Sequence, residues 1–215
     1  MTVLIIIFVI ILSIQLVLAL FAWGSRRQIE QKFSHPTGEG REPAQIIEEY
    51  YRNDSTKFRI QATDEIYEPA FAEEDFLLIN KDKIYKKDLY TNFYVIFQAE
   101  MTKKDYRYLR IVGNIQSFIF LIEIIVFLIS IATTTNLKEV LIYVSIGLQI
   151  LSFILTLLGF IQIDTVLEDA SILAKMYLRL DDVEEARVMA LKGDLRYIVF
   201  EYPFEVIWRL VQFFR

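Results

Sequence analysis

Hydrophobic positions follow two patterns along this chain. Three long blocks are apolar all round: Val3 to Trp23, interrupted by Ser13 and Gln15; Ile111 to Ala132, whose single charge is Glu123; and Val140 to Ile163, which carries none. Each, coiled as a helix, is long enough to cross roughly 30 Å of hydrocarbon. Between and after the blocks the pattern is mixed. Pro36, Gly38, Gly40 and Pro43 open the first polar region as a loop, and Pro43 suits the first turn of a helix carrying Ile46, Ile47 and Tyr50 and ending at Asn53 and Asp54. Lys57 to Thr63 alternates Phe58, Ile60 and Ala62 with polar neighbours, as a half-buried strand does. Asp75 to Asn80 is a second short apolar run, and the acidic stretch between the two, with Pro69, predicts a small antiparallel pair. From Lys83 to Arg110 the pattern is helical: Leu89, Phe93, Ile96, Phe97 and Met101 recur at three- and four-residue spacings, with Tyr85 one turn earlier.

After the third block, Leu167, Ala170, Ser171, Ala174 and Leu178 line one face of a helix that continues out of it. Asp181 and Asp182 then start another helix with acidic residues at its N-terminal end. Tyr197 to Phe214 is apolar except for a stripe of Glu201, Glu205, Arg209 and Gln212. Such a stripe fits a helix lying in a membrane interface and equally one that spans with its polar side against other helices. The expected fold is therefore mainly α, an integral membrane helical protein of three or four spans with a small cytoplasmic α+β element. Its segments are an anchor over 1–24, an α+β region over 25–110, a transmembrane hairpin over 111–163, cytoplasmic helices over 164–196 and a C-terminal amphipathic or membrane helix over 197–215.

Composition agrees: 54% of the 215 residues are hydrophobic, too many for an ordinary soluble domain of this length. The first block reads as an uncleaved anchor rather than a secretory signal, because only Met1 and Thr2 precede it and bulky Phe21 and Trp23 crowd its end. Arg26, Arg27 and Lys32 follow it, Lys103, Lys104, Arg107 and Arg110 lead into the second, and Arg179, Arg187, Lys192 and Arg196 follow the third. These basic clusters predict an N-terminus outside and both polar regions facing a cytoplasm or matrix, in a bacterial inner membrane or an organellar inner membrane. A net charge of −5 gives no support for nucleic-acid binding, so the expected partners are membrane lipids and other integral membrane subunits. The chain has no cysteine, which excludes disulfides and thiolate metal sites, and its one histidine, His35, sits in the Pro/Gly loop as a surface residue. Tyr85, Tyr90, Tyr94, Tyr106 and Tyr108 gather toward the second block, as membrane-interface aromatics do. No Gly-rich phosphate loop, nucleophile elbow or dinucleotide fingerprint is present.

The order of "TGEGREPAQII" from Thr37, "FLLINKDKIY" ending at Tyr85, "FQAEMTKKD" from Phe97, "LR" at Leu109 and Arg110, and "TVLEDASILAK" from Thr165 to Lys175 resembles the neutral zinc metallopeptidase family of bacterial membrane proteins (YugP-like). The resemblance implies an anchor, a short β element, a peptidase helix, two membrane segments, a second motif helix and a hydrophobic C-terminus. It also implies a degenerate member. A zinc peptidase helix needs two histidines one turn apart and a glutamate beside the first. With Glu100 in the glutamate's place, the histidine positions fall on Ala99 and Lys103, and the acidic ligand of the second motif falls on Leu167, beside Glu168. Alanine has no donor atom, and a protonated lysine puts positive charge where the cation belongs. No metal or other cofactor is expected, and no catalysis: Glu100 is the relic general-base position in a pseudopeptidase-like scaffold. An active peptidase with atypical ligands is the alternative.

Three further expectations concern charges. Lys103 can fill the vacated metal position and pair with Glu100 or Glu168, so that a charge pair replaces the metal as the link between helices. Glu100, Asp105, Asp164, Glu168 and Asp169 could in principle converge on a hard cation, against which stands the reading of solvated charges where helices leave the membrane. Glu123, near the middle of its block, is expected to be hydrogen-bonded as a protonated acid to Gln149 at similar depth, helix glue rather than a proton or ion path, although a small transport subunit built on Glu123 stays open.

Overall fold

The computed structural model describes residues 2–36, 40–53, 59–64, 68–72, 76–103, 106–134 and 137–204. The chain divides into two compact units, one of residues 1–24, 111–161 and 197–215, the other of residues 25–110 and 162–196. The protein is mainly helical, with three long apolar helices and a small three-stranded mixed sheet.

The long helices are α1, Thr2–Lys32, α4, Arg107–Ala132, and α5, Leu137–Leu178. All three are long and apolar enough to cross a membrane. α1 does not stop at the end of its apolar block but runs on to Lys32, so the loop with Pro36 begins later than the composition shift implied. α5, at 42 residues, is about 63 Å long, twice a hydrocarbon core. Its residues from Gln162 onward belong to the second unit, as a helix continuing out of the third block should.

The first unit is inverted relative to a soluble core. Its polar side chains point inward: Gln15, Gln116, Glu123, Ser130, Ser145, Gln149, Ser152 and Thr156 are buried, whereas Ile10, Val17, Phe118, Leu128, Tyr143 and Ile154 are exposed. On α4 and α5 the buried polar positions recur at three-, four- and seven-residue spacings, so each of these two helices carries one polar face among apolar ones. Two contacts fix how α1 and α5 lie together. Phe8 accepts through its carbonyl from Gln149 Nε2 at 3.1 Å, and Tyr197 touches the rings of both Phe21 and Phe160, at 6.1 and 6.0 Å between centroids. The offsets, 149 − 8 = 141 and 160 − 21 = 139, agree within two residues, so the two helices run parallel. α4 returns against them: Gln116 Nε2 donates to Thr156 Oγ1, and Phe127 stacks on Phe8 with centroids 3.9 Å apart. Gly159 lets the short 3-10 helix Arg196–Phe204 approach, since a Cβ there would lie 3.3 Å from Val199 Cγ1. The polar stripe expected beyond it, Glu205, Arg209 and Gln212, lies outside the described residues, and with it the choice between span and interface.

The second unit is built round α3, Leu89–Met101, every residue of which is buried. α2, Pro43–Asn53, starts at its proline as the sequence predicts, after Gly40 turns the chain with φ +58°. The sheet corrects the expected antiparallel pair. β1, Arg59–Thr63, and β3, Phe76–Asn80, lie parallel, with Arg59 opposite Phe76 and Thr63 opposite Asn80. The stretch between them contributes a third strand, β2, Ala70–Ala72, antiparallel to β3, so the order is β1-β3-β2. Parallel neighbours need a long connection, and the 12 residues between Thr63 and Phe76 supply it. The continuous helical pattern from Lys83 is also corrected: Lys81 to Tyr85 form turns, Asp88 caps α3 by accepting from Thr91 N, and the helix ends at Met101. α6, Asp182–Leu195, begins where its acidic residues predict, with Asp181 and Glu184 forming a reciprocal capping box.

Candidate functional site

α3 holds its surroundings through polar atoms that a buried helix must satisfy. Gln98 Oε1 accepts from Ala72 N of β2 at 3.0 Å. Asn92 Nδ2 donates to Arg41 O at 3.2 Å. Leu89 N and Tyr90 N donate to His35 O and Phe33 O, tying on the chain that follows α1. Tyr90 and Tyr94, expected at a membrane interface, are 1% and 2% exposed and belong to this core, their rings 5.6 Å apart, whereas Tyr85 is freely exposed. The reason is α3 itself: with neighbours on every side, its tyrosines meet protein whichever way they point.

Glu100 sits in the last turn of α3, fully buried. Its Oε1 accepts from Tyr50 Oη of α2 at 2.5 Å and faces Lys103 Nζ at 2.8 Å, while Oε2 has no hydrogen-bond partner. Lys103 Nζ also lies 5.7 Å from the centre of the Tyr50 ring. Of the two pairings expected for Lys103, that with Glu100 forms; Glu168 is instead paired with Lys192 of α6. Lys103 lies just beyond the helix: Thr102 closes α3, its Oγ1 donating to Ala99 O at 2.6 Å, and Lys103 follows in the turn. Ala99 and Leu167 are wholly buried.

The other carboxylates expected near this point are dispersed. Asp169 accepts from Tyr106 Oη at 2.5 Å, Glu168 is taken by Lys192, and Asp105 lies outside the described residues. Among the described residues, no three histidine or acidic side chains, Asp164 included, converge in a metal-holding group. His35 is exposed. Tyr50 is the partner that sequence reasoning missed; it was legible only as an apolar position of α2, because its hydroxyl's target is 50 residues away in the chain. Tyr177 packs beside it, ring centroids 5.9 Å apart, and Arg41 reaches Tyr177 O at 2.6 Å as well as pairing with Glu49.

In the first unit the Gln149 amide nitrogen does not donate to Glu123. Gln149 gives its Nε2 to Phe8 O, and its Oε1 and both oxygens of Glu123 are buried without a partner. Helix register explains the near miss. Taking Gln116 and Thr156 as opposite, 123 − 116 = 7 and 156 − 149 = 7 put Glu123 and Gln149 at one level, but α1 supplies a backbone carbonyl that takes the amide first.

The chain matches no protein-family model, no curated protein and no solved structure.

Proposed function

We propose that this is a non-catalytic, pseudopeptidase-like integral membrane protein that binds, scaffolds or helps assemble other membrane protein subunits. One observation carries the reading: the glutamate in the general-base position is fully buried and bound by Tyr50 and Lys103, with Ala99 and Leu167 where ligands are required. A general base must reach the proton it takes, and this one has no open face. Lys103, moreover, stands beyond the end of α3, whereas paired ligands one turn apart need a helix through both positions. What such a scaffold retains is packing surface and membrane helices, and these suit lipids and other membrane subunits as partners.

The proposed location is a bacterial or organellar inner membrane, with the N-terminus outside and the polar regions facing cytoplasm or matrix, on the distribution of basic residues. Purification in mild detergent with mass spectrometry tests the scaffold reading: stable, stoichiometric membrane partners are expected, and a protein that purifies alone under all mild conditions would overturn it. Metal analysis tests the alternative, an active zinc peptidase with atypical ligands. Stoichiometric zinc that is lost in Glu100→Gln or Glu168→Ala would establish that alternative. The unpartnered carboxyl of Glu123 favours a second reading, a small ion or proton transport subunit, for which loss of flux in Glu123→Gln with normal assembly is the test.

A further inference from the structure

We propose that the first unit binds a monovalent cation between α4 and α5, coordinated by the carboxylate of Glu123 and by Gln149 Oε1. Glu123 is the only acidic or basic side chain in the three apolar blocks, and it is completely buried. Its two oxygens and Gln149 Oε1 lack partners. The direction of the Gln149 amide is not arbitrary: Phe8 O can only accept, so the atom facing it is Nε2 and the atom left over is the carbonyl oxygen. The unmet atoms of Glu123 and Gln149 are therefore acceptors, and what meets them is a donor or a cation.

The neighbouring level shows the contrast. Seven residues along each helix, about 10 Å, Gln15 joins Gln116 and Thr156, since 15 − 8 = 7 and 156 − 149 = 7. There the unpartnered atoms include both a donor, Gln15 Nε2, and acceptors, Gln15 Oε1 and Gln116 Oε1, so the side chains can meet each other's needs by rotation. At the level of Glu123 they cannot. A proton on Glu123 would supply a single donor and leave an acceptor unmet. A cation contacting both satisfies all three oxygens. One carboxylate is balanced by one positive charge, and a neutral site is what a low-dielectric interior tolerates; a divalent ion would leave a net charge there. Ser152, one turn from Gln149, offers a further unpartnered hydroxyl oxygen. The site is a binding site whether or not ions pass through it, and it does not depend on which subunits the protein holds.

The test uses the full chain reconstituted in vesicles of zwitterionic phospholipid. A hydrophobic carbodiimide, which attacks carboxyl groups from within hydrocarbon, is applied in choline chloride and in NaCl, KCl or LiCl at equal ionic strength, and modification is mapped by mass spectrometry. Modification of Glu123 in choline chloride, reduced about tenfold or more by at least one of the metal cations, is the expected result. Equal modification in every salt, including none in any, would overturn the site. Gln149→Leu should raise the concentration giving half protection by about tenfold, the loss of one charge-assisted contact; an unchanged concentration would remove Gln149 from the site. Glu123→Gln should lose any cation-dependent rise in melting temperature that the parent shows. The carbodiimide comparison on the parent protein needs no variant and stands if either one fails to fold.

Discussion

At the scale of single residues, the Glu100 cluster ties the last turn of α3 to α2. Glu100 joins α3 to α2 through Tyr50, and Lys103 supplies the positive charge. Removing either partner leaves a buried carboxylate less satisfied, which costs about 1–3 kcal/mol. Lys103→Ala and Tyr50→Phe should each lower the melting temperature in detergent; an unchanged value for both would mean the cluster contributes no stability. Because the three groups touch, the effects of Lys103→Ala and Glu100→Gln should be less than additive in the double variant. The carboxylate was singled out in the sequence only through a resemblance to a peptidase motif, and Lys103 as its neighbour three positions on. Tyr50 was not, because nothing local connects a hydroxyl in α2 with a helix beginning 39 residues later.

At the scale of elements, local signals and tertiary demands separate cleanly. Pro43 starts α2 and Asp181 starts α6 because each acts on backbone groups of its own turn. Asp181→Ala should therefore destabilise by about 1 kcal/mol, read as a lower melting temperature, with Asp181→Asn retaining most of the stability. The hold on α2 is partly ionic. Arg41 donates to Glu49, and that hydrogen bond keeps the Glu49 carboxyl below its ordinary 4.5. A lowered folded-state value means the contribution is present above 4.5 and is lost as pH falls through the folded value. Glu49→Gln should flatten that acid limb of the stability profile, and an identical limb would exclude the pair as its source. The sheet shows the opposite case. Strand existence was visible in the alternation of Ile60 and Ala62 and in the run Phe76 to Asn80, but their parallel pairing was not, since alternation specifies which face is buried and says nothing of direction. The three residues of β2 are too few to carry a period at all.

At the scale of the whole molecule, the proposed orientation makes a prediction that the composition makes easy to test. The chain has no cysteine, so single substitutions report without background. His35→Cys and Glu184→Cys should react with an impermeant maleimide from the cytoplasmic side alone, and Thr134→Cys, between α4 and α5, from the opposite side; the reverse pattern would invert the topology. By itself the sequence determined that three helices are long and apolar enough for a membrane, where α2 and α6 begin, and that Ala99 and Lys103 offer no zinc ligands, because length, hydropathy, capping and donor chemistry are properties of residues and their near neighbours. Only the tertiary structure decided that α3 is buried on every side, that Lys103 turns back onto Glu100 while Glu168 goes to Lys192, and that Phe8 O takes the amide Gln149 would have offered Glu123. Those outcomes are competitions between partners brought together from distant parts of the chain, and helix register and packing settle which partner arrives first.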